Sequence, residues 1–293
     1  MINKSTFLLA ALCSAYSFAQ TSVVDLPNVS AVAVTNKVEP PQRPAAVTVQ
    51  RGPYLQSGTP TSVVVKWRTD VPTESVVHYG KKLNSLSKKA SSNTLTTEHQ
   101  VALSGLSPNT KYYFNIGNKA GVLSESTSGD MYVITSPLAG TKQFVRAWIL
   151  GDAGTANNNQ RDVRDAYYDY VDAAPKNTGK TDMMLFLGDN AYGSGTDEEY
   201  QNALFDIYDE MLKKSVAWSC LGNHDGKSAD SATQSGPYYD IFTFPTTAQA
   251  GGTASGTEAY YSFDYANVHF IILDSHHTSR EVGGAMYNWT LTD

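Results

Sequence analysis

The chain has 293 residues, 41% of them hydrophobic, with 28 acidic against 22 basic side chains. That composition excludes wholesale disorder and leaves length for two domains. A net charge of −6 gives no electrostatic basis for nucleic acid or an anionic membrane as a partner.

The first 19 residues read as an export signal. Lys4 supplies the positive charge, residues 7–13 the short apolar core, and Ser17, Phe18 and Ala19 the cleavage site before Gln20. That apolar run is too short to span a bilayer, so the mature protein is expected free of the membrane, either secreted or in the periplasm or at the cell surface. Cleavage removes Cys13 and leaves Cys220 alone, so no internal disulfide staples the fold. Residues 20–45, punctuated by Pro27, Pro40, Pro41 and Pro44, read as a linker.

Short strand patterns follow at 62–67, 75–79, 99–103, 110–116 and 131–135, with Gly, Pro, Asn and Ser between them. A β-sandwich over 46–137 is the expectation, with Trp67 in its core. His78 and His99 read as solvated. The stretch Leu106-Ser107-Pro108-Asn109-Thr110-Lys111-Tyr112 resembles the fibronectin type III segment that carries the tyrosine corner. The resemblance implies that the Tyr112 phenol bonds back to the backbone.

After Pro137 the pattern changes. Apolar runs at 144–150, 183–187 and 215–220 alternate with helical spacing over 161–174 and with a helix from Thr196 to about Lys214. Thr196 and Glu199 form a capping box at its start. Residues 260–265 and 268–274 read as a hairpin around Ala266 and Asn267. This alternation predicts an α/β domain over 141–293 with a mostly parallel sheet.

Each of the three apolar runs ends in a polar glycine loop: Gly151-Asp152-Ala153-Gly154, Gly188-Asp189-Asn190-Ala191-Tyr192 and Gly222-Asn223-His224-Asp225. Sites in such sheets gather at the carboxyl ends of strands. Asp152 and Asp189 offer carboxylates, and Tyr192 offers a phenol three residues after Asp189. A phenolate near neutral pH needs a strongly Lewis-acidic ion, because a free tyrosine titrates near ~10. Ferric iron meets that need. Asn223 offers an amide oxygen for a second ion, and His224 a group for the substrate. Two ions at ~3.5–4 Å can clamp a phosphate and activate water. Taken singly, a Gly-Asp after a strand is a common turn, Tyr192 a packing residue and Asn-His-Asp a cap or loop. Their joint occurrence in this order favours the metal reading.

The order GDAG, GDNAY, GNHD resembles the calcineurin-like metallophosphoesterases, and the tyrosine at Asp+3 the purple acid phosphatases in particular. Arg51-Gly52-Pro53-Tyr54-Leu55-Gln56 is similar to a segment near the start of that family's N-terminal domain. The resemblance implies a binuclear centre of Fe(III) and a divalent ion, Zn, Fe or Mn. It implies Asp152 and Tyr192 on the ferric ion, Asp189 bridging, Asn223 on the divalent ion, and His224 acting on the phosphate or the leaving oxygen. The implied reaction is hydrolysis of phosphate monoesters by a metal-activated hydroxide. The family completes its centre with three further histidines, two in a Gly-His-x-His loop that the sequence lacks. His269, His276 and His277 do not have that spacing and are read as packing or rim residues. The chain therefore reads as a C-terminally truncated phosphatase holding its ions loosely. Its uncovered strands are expected to expose residues such as Phe270 and Ile272. A phosphodiesterase or nucleotidase of the same superfamily, and a secreted binding protein with an inactive phosphatase domain, are the alternatives.

Overall fold

A computed structural model describes residues 46–174 and 180–293. The expected export signal and the linker lie outside the described residues. The strands are β1 (Val49–Gln56), β2 (Val63–Gly80), β3 (Lys88–Leu103), β4 (Lys111–Asn118), β5 (Gly121–Ser124), β6 (Tyr132–Ile134), β7 (Ala147–Leu150), β8 (Met183–Phe186), β9 (Val216–Ser219), β10 (Tyr261–Tyr265) and β11 (Val268–Ile272). The helices are α1 (Asn158–Asp172), α2 (Asp197–Tyr200), α3 (Asp206–Leu212), α4 (Pro237–Ile241) and α5 (Ala285–Thr292). A π-helical turn, Gln201–Phe205, joins α2 to α3. It breaks what the sequence pattern predicts as one helix.

The β part and the α/β part share one sheet, in the order β5-β4-β2-β1-β9-β8-β7, with β3 on β2 and β6 on β4. β7, β8 and β9 run parallel, and β1 joins β9 in parallel through Leu55 and Val216. The Met183–Phe186 run of β8 is buried throughout, as a central parallel strand should be. Trp148 on β7 and Trp218 on β9 occupy adjacent register positions, so they face opposite sides of the sheet. Trp148 stacks on Tyr167 of α1 at 3.9 Å, and Trp218 on Phe263 of β10 at 3.9 Å. One face is therefore covered by α1 and the other by the antiparallel hairpin of β10 and β11.

That hairpin corrects one expectation. Phe270 and Ile272 pack against the core, and Phe270 stacks on Phe263 at 4.7 Å. Their alternation partners Ile271 and Leu273 face outward instead, about two-fifths exposed (42% and 40%).

In the sandwich, Trp67 is buried as expected. The Ser107 amide donates to the Tyr112 phenol oxygen at 2.9 Å, the corner contact that the resemblance implies. His99 is not solvated. It is fully buried, stacked on Trp67 at 4.6 Å, with its ring nitrogens 2.8 Å from the hydroxyls of Thr69 and Ser75. The sequence does not reveal this because both hydroxyls lie on the neighbouring strand β2. Burial pushes the imidazole down to about 4. The unfolded chain then binds a proton that the folded one does not between its ordinary value and about 4, so stability falls as pH falls through that window. The wild type should lose about 3 kcal/mol more than His99→Gln between pH 7 and pH 4 in urea titrations. Parallel pH profiles for the two proteins would refute the assignment.

Candidate metal centre

The three glycine loops leave the carboxyl ends of β7, β8 and β9, which lie side by side, and so they meet. Backbone bonds fasten them: the Asp152 amide donates to Gly188 at 3.2 Å and the Tyr192 amide to Gly154 at 2.8 Å. Two glycines make the approach possible. A Cβ on Gly154 would lie 2.3 Å from the Asn190 carbonyl carbon, and one on Gly222 would lie 2.0 Å from the Asp189 nitrogen.

Asp152 and Asp189 both sit in the left-handed backbone region, each at φ 52°. Aspartate tolerates this conformation better than most residues, yet it remains uncommon, and strain of this kind gathers at functional sites. Asp152 is exposed, while Asp189 is buried and accepts from the His224 amide at 2.8 Å. The Tyr192 hydroxyl donates to Asp152 at 2.9 Å, bridging loops 40 positions apart in sequence. Burial and the two adjacent carboxylates of Asp152 and Asp189 push the phenol well above its ordinary value. The His224 ring packs on Tyr192 at 4.4 Å, and its Nδ1 is 2.7 Å from the Gly193 carbonyl oxygen. Asn223 lies between Gly222 and His224 with its side chain exposed.

The structure thus brings Asp152, Tyr192, Asp189 and His224 together, and the backbone on both sides of Asn223 closes on Asp189. His276 and His277 are exposed, with rings 4.4 Å apart. A Cβ on Gly226 would lie 2.9 Å from the His276 Nε2, so these histidines border the third loop. His269 is elsewhere, between Asp264 at 2.7 Å and Asp293 at 2.9 Å.

Several organising residues escape the sequence pattern. Asp225 is fully buried and accepts from the Gly222 amide at 2.9 Å, the Asn190 amide at 3.2 Å, the Asn190 Nδ2 at 3.1 Å and the Tyr200 hydroxyl. Burial raises its carboxyl although these donors oppose the shift. Glu199 accepts from the amides of Gly193, Ser194 and Thr196 at 2.6, 3.0 and 2.9 Å. Burial alone would raise the Glu199 carboxyl, but the three amides bring it below the usual range. The Arg68 guanidinium, aided by Arg51 and opposed by burial, holds Asp197 down to about 2. The capping box was the one visible signal for Glu199, and it speaks only to the helix start.

Two carboxylates, a phenol and an amide form an oxygen-rich set suited to hard and borderline cations. The Tyr192 hydroxyl donates its proton to Asp152, so the two oxygens lie close enough that both residues would hold one cation in place of that proton. In this respect the residues fit the centre that the sequence resemblance implies. Among the described residues no group of three or more His, Cys, Asp or Glu side chains is arranged to hold a metal.

Comparison with known proteins agrees with this fold. A family model for the purple acid phosphatase N-terminal domain matches residues 51–131, and one for calcineurin-like phosphoesterases matches 145–290. The chain belongs to the purple acid phosphatase family of calcineurin-like phosphoesterases. It is 26% identical over 209 residues to probable inactive purple acid phosphatase 27 of Arabidopsis thaliana, covering 65% of this chain and 32% of the relative. It is 24% identical over 285 residues to purple acid phosphatase 21 of the same plant, covering 88% of this chain and 57% of that one. The structure of a purple acid phosphatase from yellow lupin (Lupinus luteus) seeds shares the fold. Its TM-score is 0.55 at 16% identity, over 82% of this chain and 48% of that chain. The chain thus spans between about a third and three-fifths of the length of these relatives. Among the described residues no helix is long and apolar enough to cross a membrane.

Proposed function

We propose that this chain carries the metal loops of an exported acid phosphatase acting on phosphate monoesters. The observation that carries the reading is the meeting of Tyr192 with Asp152 at 2.9 Å, beside Asp189. Asp152 and Tyr192 would hold a ferric ion, Asp189 would serve both ions, and Asn223 would serve a divalent one, Zn, Fe or Mn. When bound, such a centre supplies Lewis acidity to a phosphoryl group and to water. The protein's own part is to orient. His224 faces the substrate side and either donates to a phosphate oxygen or protonates the leaving oxygen. Its Nδ1 contact with Gly193 fixes the ring for that task. The charged stretch, apolar core and small residues within 1–19 support export.

The test is purified protein with added iron and zinc, assayed on p-nitrophenyl phosphate. Only four protein groups are assigned to two ions, so metal should leave readily on dialysis and turnover should be slow. A visible tyrosinate-to-iron band is expected, absent in Tyr192→Phe, which keeps nearly the same volume. Turnover should fall about 10²–10³-fold in Asp189→Ala. A coloured Tyr192→Phe protein, or turnover indifferent to Asp189→Ala, would overturn the assignment. The word "inactive" in the name of an Arabidopsis relative favours a second reading, a phosphatase fold without turnover. Metal binding without metal-dependent hydrolysis in this assay would select it.

A further inference from the structure

We propose that Glu199 is a positioning residue for this centre: its carboxylate holds the 193–196 backbone so that Tyr192 and the His224 ring share one space. The inference rests on the function proposed above.

A capping box explains only part of what Glu199 does. It requires the N-cap amide, here that of Thr196, to donate to the carboxylate, at 2.9 Å, and the Glu199 amide to donate to the Thr196 hydroxyl oxygen, at 3.3 Å. The carboxylate also takes the amides of Gly193 at 2.6 Å and Ser194 at 3.0 Å, which belong to the loop and not to the helix. Three amides on one carboxylate immobilise the segment directly after Tyr192.

That segment acts on His224. The Gly193 carbonyl oxygen receives the His224 Nδ1 at 2.7 Å and the Lys227 Nζ at 2.7 Å. The Lys227 Nζ also lies 3.0 Å from the His224 Nδ1, but the shorter contact is to a carbonyl that can only accept, so we assign the proton to Nδ1, turn the ammonium towards the same carbonyl, and leave Nε2 free. Moving the Gly193 peptide would therefore release the ring, and with it the contact with Tyr192, whose ring lies 4.4 Å away at a 58° tilt.

The helix turn that carries Glu199 is itself fixed from the sandwich. Arg51, buried on β1, donates to the Asp197 carboxylate at 2.9 Å, to its carbonyl at 3.1 Å and to Gln201 at 2.8 Å. Its guanidinium lies over the Phe205 ring at 4.4 Å. Arg68 on β2 takes the same carboxylate at 2.8 Å. Asp197 is two residues from Glu199, so the strands brace the base of the carboxylate that holds the loop.

The test compares Glu199→Ala with Thr196→Ala in the full chain. Thr196→Ala removes the side-chain cap but leaves the carboxylate on the loop, so it controls for helix capping. Without metal, long-range proton–nitrogen NMR of the imidazoles should show His224 as the Nδ1–H tautomer in the wild type and in Thr196→Ala. Glu199→Ala should lose that preference. With added Fe(III), Glu199→Ala should bind about 10-fold more weakly and give a shifted visible band, while Thr196→Ala follows the wild type. Identical tautomers and iron affinities in the two variants would reduce Glu199 to a cap and overturn the proposal. If Glu199→Ala does not fold by circular dichroism, Glu199→Gln carries the same comparison, since it keeps one acceptor oxygen of two. A wild type without an iron-linked band sinks the proposed function instead, and the metal-free tautomer result still decides the role of Glu199.

Discussion

Asp225→Ala should lower the melting temperature by roughly 10 °C or more, although the residue is assigned to no ion. Its carboxylate is buried and satisfies the amides of Gly222 and Asn190, the Asn190 side chain and the Tyr200 hydroxyl. Alanine leaves these donors buried without an acceptor. Breaking a buried charged network typically costs about 3–5 kcal/mol. For a domain of this size about 2–4 °C accompanies each kcal/mol. Thermal melts of the metal-free protein measure the effect, and a change below about 1 kcal/mol would show that the loops hold together without this residue. Asp225→Asn should fall between the two, because its amide nitrogen turns one acceptor into a donor.

Gly222→Ala should cost metal uptake more than it costs stability. The added methyl would lie 2.0 Å from the Asp189 nitrogen and 2.3 Å from its Oδ1, distances at which one loop must move. Overpacking of this kind costs about 1–3 kcal/mol, which the fold should survive. The displacement falls on the residue proposed to serve both ions, and a shift of about 1 Å at such a place can cost 10²-fold in rate. Iron titration followed at the visible band, beside a thermal melt, separates the two effects. Wild-type iron affinity in a folded Gly222→Ala protein would mean that Asp189 is not where the ions sit.

The three loops were legible because each ends an apolar run, and the parallel strands that those runs form lie next to one another. The hairpin of β10 and β11 and the capping box were legible for the same local reasons. What escaped depends on partners distant in sequence. Asp225 reads as one more polar loop residue until Tyr200 and Asn190 are seen to enclose it. His99 reads as solvated until Thr69 and Ser75 are placed against its ring. β1 does not read as a strand, because Gly52 and Pro53 interrupt its alternation, yet it joins β2 to β9 and carries Arg51 to the Asp197 turn. The π-helical turn at Gln201–Phe205 has no sequence signature distinct from a helix. It is pinned from α1, where Gln160 donates to the Ala203 carbonyl at 2.7 Å.

The left-handed backbone at Asp152 and Asp189 constrains which residues can follow them in descent. Glycine enters that region without steric cost, and asparagine and aspartate enter it at less cost than β-branched residues. The backbone therefore narrows the choice at both places before any ion is considered. A lineage that lost its metals would be expected to drift there toward asparagine or glycine, keeping the shape of the loops while their charge disappears. A descendant of this chain could in that way preserve the outline of a phosphatase long after its chemistry had gone.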